Sequence, residues 1–105
     1  MTTFDKREEG FEQKFAHDEE LRFKATARRN KLLGLWAAEK LGFSGAEANS
    51  YALSVVMSEI EGAHDVASKI RKDFDANGVA QSDHQIGRVM TELMEKAVAD
   101  IQAGK

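Results

Sequence analysis

The residues of this chain able to do chemistry are few, and their spacing narrows what they can do. The three histidines, His17, His64 and His84, stand alone in the sequence. None forms the i,i+4 pair with which a helix holds zinc. Asp18, Asp65 and Asp83 adjoin them, but sequence neighbours point to different faces of a helix. All three read as surface histidines. There is no cysteine, which excludes disulfides, thiolate catalysis and cysteine metal sites. Neither of the glycine-rich phosphate-binding patterns, GxxxxGK(S/T) and GxGxxG, occurs. The acids form no constellation distinct from solvated helix faces. The expectation is a protein that is not an enzyme, with no catalytic residue, no metal and no cofactor.

Two other groups of residues suit recognition. The first is "RFKATARRNK", in which Arg22, Lys24, Arg28, Arg29 and Lys31 surround Phe23. On a helix Lys24, Arg28 and Lys31 share one side and Arg22 and Arg29 another, while Glu19 and Glu20 dilute the field. This reads as a solvated helix face. The alternative, a helical adaptor or nucleic-acid-associated protein using the basic face of residues 22–31, requires a basic stripe in the fold.

The second group is in the opening "MTTFDKREEGFEQKFAHDEE". After Met1, the only large apolar side chains of the first seventeen residues are Phe4, Phe11 and Phe15. At about 100° per residue they fall in a stripe about 40° wide. Asp5, Lys6, Arg7, Glu8, Glu9, Glu12, Gln13 and Lys14 surround them, and Gly10 weakens any helix there by about 1 kcal/mol relative to Ala. Burying three phenylalanines gains roughly 5–9 kcal/mol. Ordering some fifteen residues costs at least about 15 kcal/mol. The segment is therefore expected to be disordered when free. It reads either as a frayed terminus or as an arm that becomes helical in a partner's groove.

The elements behind these residues are helical. The chain has 105 residues, 42% apolar and 31% charged, enough for one domain with a modest core. Its net charge of −3 argues against bulk binding to DNA or anionic lipid. No apolar run approaches a membrane span and no signal peptide is recognisable, so a soluble intracellular protein is expected. There is no proline, and glycines punctuate a 3.6-residue periodicity. Four helices are predicted over 18–41, 45–61, 64–75 and 83–102, the first of them central. Asp18 is the expected N-cap of the first, and Ser44–Glu47 and Ser82–Gln85 are capping-box pairs for the second and fourth. The first helix shows Leu21, Ala25, Leu32 and Trp36 on mostly one face, then is apolar all round from Leu32 to Ala38, with Trp36 expected in the core. Tyr51, Val55, Ala48 and Ala52, then Val56 and Ile60, are the apolar face of the second. Val66, Ile70 and Phe74 mark the third; Ile86, Val89, Met90, Leu93, Ala97 and Ile101 mark the fourth. The fold class is all-α, a small four-helix bundle (18–105) behind a flexible N-terminal arm (1–17) that can become helical on binding.

The run "KFAHDEELRFK" followed by "ARRNKLLGLWAAEKLG" resembles the zeta subunit of alphaproteobacterial F-type ATP synthases, that family's inhibitor of ATP hydrolysis. The resemblance is densest over residues 1–42 and extends loosely to the C-terminus. It implies a four-helix bundle with a mobile N-terminal inhibitory segment, inserted as a helical wedge at a catalytic interface of the synthase head, against the central stalk. Hydrolytic rotation stops and synthesis is still permitted. On this chain the resemblance implies Phe4, Phe11 and Phe15 as apolar anchors, with Lys6, Arg7, Glu8 and Lys14 meeting charges along the groove. Glu9 and Glu12 would join them. The implied protein is bacterial, cytoplasmic and peripheral to the membrane-bound synthase. It binds no nucleic acid, does not insert into the membrane, and is a monomer when free.

Overall fold

The computed structural model describes residues 19–60 and 66–104. Four helices follow one another: α1 (Glu19–Leu41), α2 (Gly45–Ile60), α3 (Val66–Ala76) and α4 (Asp83–Gln102). No strand occurs among the described residues. The periodicity and glycine stops of the sequence are thus realised as an all-α bundle. The long first helix is central, packing against each of the other three.

Each boundary has a local cause. Glu19 and Glu20 lie in the first turn of α1, where carboxylates suit the positive end of the helix dipole. At its other end Gly42 takes φ +87°, a left-handed conformation that a Cβ disfavours. The Phe43 amide then reaches back to the Ala38 carbonyl at 2.8 Å, and the Gly42 amide to Glu39 at 3.1 Å, closing the last turn. At the start of α4 the Ser82–Gln85 capping box forms in both directions, at 3.1 Å and 2.8 Å. The α2 start differs from expectation. No side-chain bond joins Ser44 to Glu47, and the Ala48 amide instead bonds the Ser44 carbonyl at 3.4 Å. The expected Asp18 cap lies outside the described residues.

The core is built from Leu33, Ala37, Val55, Val66, Ile70, Phe74 and Ile86. The α3 stripe is the one expected, with all three of its positions buried. The α1 face is not. Of Leu21, Ala25, Leu32 and Trp36 only Ala25 is buried, and the interior stripe runs through Leu33, Gly34, Ala37 and Ala38. Small residues take the inside because α1 and α2 approach closely there, and the larger Leu32 and Trp36 are pushed to the flanks. Trp36 is half-buried, its ring edge-on to Phe74 with centroids 5.7 Å apart. It therefore borders the core.

Polar contacts tie the helices at the bundle margin. The Tyr51 hydroxyl donates to Asp73 Oδ2 at 2.7 Å, joining α2 to α3. The Lys69 ammonium reaches the same oxygen at 3.0 Å and sits 5.2 Å from the Tyr51 ring centroid. Burial first, and then the hydrogen bond and charge of Asp73, push the Tyr51 phenol well above its ordinary value. Arg28 closes α1 on the end of α4, its Nε and Nη2 donating to Asp100 Oδ2 at 2.9 Å and 2.8 Å.

Candidate interaction surface

The arm residues Phe4, Lys6, Arg7, Glu8, Phe11, Lys14 and Phe15 lie outside the described residues, as do His17 and His64. His84 is exposed, as its isolation in sequence implied. Among the described residues no group of three or more histidine, cysteine or acidic side chains is placed to hold a metal ion. No helix there is long and apolar enough to cross a membrane.

The described residues begin with the first turns of α1. Glu19, Arg22, Phe23 and Thr26 occupy the first two turns of α1, where helical spacing brings i, i+3 and i+4 side chains together. With Glu59 from the end of α2 they line an open pocket of about 330 Å³. Phe23 is 64% exposed although it is a phenylalanine. Arg22 is also exposed and forms no ion pair among the described residues.

Glu59 also belongs to a polar network with Asn30 and Arg29. Asn30, buried in α1, donates through Nδ2 to Glu59 Oε2. Arg29 donates through Nε to Asn30 Oδ1 at 2.9 Å and approaches Glu59 Oε2 at 3.9 Å. Burial draws the Arg29 guanidinium below its ordinary value, and the Glu59 charge opposes that shift. A buried amide in a helix is tolerable only with such partners, because an unpaired one costs about 1–3 kcal/mol. Glu59 thus serves Asn30 and faces Arg29 while remaining partly exposed in the pocket.

The basic cluster does not assemble into a stripe. Lys24 pairs with Glu20 at 3.1 Å, Arg28 with Asp100, and Arg29 faces Glu59. Arg22 and Lys31 are left without a charge partner among the described residues, and they lie on different sides of α1. The condition set for nucleic-acid binding is not met. A second groove runs along the α1–α2 pair, about 600 Å³, lined by Ala27, Arg28, Lys31, Asn49, Leu53 and Val56. Phe23 was visible in the sequence only as an interruption of a basic run.

A family model described as ATPase inhibitor subunit zeta matches residues 1–100, so the match includes residues 1–17 as well as the four helices almost to their end. The chain belongs to this family, and its role is that of an ATPase inhibitor, a regulator of another enzyme's catalysis. No curated protein matches the chain.

Proposed function

We propose that this member of the ATPase inhibitor subunit zeta family stops ATP hydrolysis by lodging residues 1–17 as a helical wedge at a catalytic interface of the F-type ATP synthase head, against the central stalk. The observation that carries this is the family match beginning at residue 1, over a segment whose large apolar side chains after Met1 are three phenylalanines at helical spacing. Phe4, Phe11 and Phe15 are the anchors, and Lys6, Arg7, Glu8 and Lys14 meet charges along the groove. Residues 18–105 are the bundle that carries the arm to its site. The inhibitor makes and breaks no bond itself, because holding a catalytic interface at one stage of rotation is enough.

The energetics favour binding that is coupled to ordering. A helix of seventeen residues with a glycine inside it is marginal alone. An enclosing groove supplies the missing burial and charge contacts, so the arm stays uncommitted until a suitable interface opens. The test is ATP hydrolysis by the purified cognate synthase, titrated with the full chain and with a chain lacking residues 2–17. The full chain inhibits and the shortened one does not. Equal inhibition by both would remove the arm from the mechanism.

A further inference from the structure

Two exposed large apolar side chains, Leu53 and Met57, stand one turn apart on α2, 60% and 40% exposed. Single apolar side chains at a surface are normal, but this pair has a setting. Leu53, with Val56 beside it and Ala27 from α1, lines the groove of about 600 Å³ along the α1–α2 pair. Met57 continues the exposed apolar strip by one turn. The rest of the lining is Arg28, Lys31 and Asn49, so the groove has two cations and no acid. The Asp100 carboxylate that takes Arg28 is also approached by Lys96 at 3.8 Å, so two cations share it. Lys31 is exposed and has no charge partner among the described residues. The groove is thus apolar on its α2 wall and carries excess positive charge on its α1 wall.

This charge pattern selects the occupant. A second copy docking about a two-fold axis would present the same patch from both sides and set Arg28 and Lys31 against their own counterparts. A nucleic-acid backbone would meet the cations and leave Leu53 and Met57 facing charge. An acidic amphipathic helix satisfies both walls: an apolar side chain enters between Ala27, Leu53 and Val56, and a carboxylate meets Lys31. We infer that the groove docks such a helix on the ATPase, a second contact that holds the bundle while residues 1–17 act. This rests on the inhibitory role proposed above. Ala27 lies only about 12 Å along α1 from Glu19, so a partner that binds residues 1–17 is tethered beside the groove. Tethering makes a weak second contact effective, because it forms at the high local concentration that a short connection sets.

The experiment titrates the cognate ATPase with the full chain and with L53E, L53A, K31E, K31R and K72E, Lys72 being an exposed residue of α3 outside the groove. Melting points and elution in gel filtration are recorded for each. L53E and K31E raise the half-inhibitory concentration about tenfold or more, and L53A raises it less. K31R and K72E inhibit like the parent, and all melting points agree with the parent's. The chain has no cysteine, so N49C sets one thiol at the groove for a photoactivated cross-linker. In the inhibited complex it joins an ATPase peptide rich in acidic and apolar residues. If the parent inhibits while L53E and K31E match it, the groove contact is wrong and the inhibitory role stands. If the parent itself fails to inhibit, both fall. Stronger inhibition by L53E would mean that the groove holds back the chain's own residues 1–17, and a cross-link within the chain or to a basic peptide would equally overturn the inference. So would a parent that elutes as a dimer and an L53E that elutes as a monomer with unchanged inhibition.

Discussion

Gly34 of α1 meets Ala52 of α2 so closely that a Cβ added to Gly34 would lie 2.6 Å from the Ala52 Cα and 3.1 Å from its Cβ. The atom in the way is backbone, so no side-chain rotation relieves it. A glycine inside a 23-residue helix costs about 1 kcal/mol relative to Ala, and the close crossing of α1 on α2 is what that cost permits.

Gly34→Ala accordingly destabilises the bundle even though alanine is the better helix former. The local gain of about 1 kcal/mol is outweighed by about 1–3 kcal/mol of overpacking as the helices separate. Urea unfolding of the two chains reads the difference. A higher midpoint for the variant would mean that the helices do not touch at this point.

Removing the Phe74 ring costs more than removing the Trp36 ring. Phe74 is fully buried at the centre of the core, and Phe74→Ala is expected to lower stability by about 3–5 kcal/mol. Trp36 is only partly buried, so Trp36→Ala loses only part of that range, about 1–3 kcal/mol. Thermal unfolding of both variants ranks them. The reverse order would place Trp36 inside.

The chain has one tyrosine, so phenolate absorbance follows Tyr51 alone. Burial and Asp73 raise the native phenol above the ordinary value of about 10. The folded state thus holds the phenolic proton more tightly than the unfolded state does. Its contribution to stability is complete below pH of about 10 and is lost as pH rises beyond that. The absorbance midpoint is expected above that of free tyrosine, and Tyr51→Phe flattens the alkaline loss of stability. A normal midpoint in folded protein would contradict the Tyr51–Asp73 bond.

Inhibition and folding are expected to be separable at the proposed arm. Phe11→Ala with Phe15→Ala forfeits about 1.5–3 kcal/mol per ring on the partner, or roughly 10- to 150-fold in the inhibition constant for each. The melting point is expected to stay at the parent's value, because the described core is built from the helices after residue 18. Hydrolysis assays and melting curves on the same samples decide. A variant that inhibits like the parent removes the wedge, and one that melts early puts the rings in the core.

Helix number, order and ends were legible in the sequence because their signals are local. Glycine stops, the Ser82–Gln85 box and the strict four-residue step of Val66, Ile70 and Phe74 each act within one or two turns. The three phenylalanines of residues 1–17 lie outside the described residues, and their reading as an arm rests on sequence alone. The inner face of α1 was not legible. From Leu32 to Ala38 the helix is apolar all round, so periodicity cannot rank its faces. Only the crossing with α2 selects Gly34, Ala37 and Ala38 for the interior and sends Trp36 to the edge against Phe74. Tertiary structure also decided the fate of the basic run. Asp100 and Glu59, distant in sequence, engage Arg28 and Arg29 and leave Arg22 outside beside Phe23. Pairing across tens of residues depends on where helices come to rest, and no local pattern in a single chain encodes that.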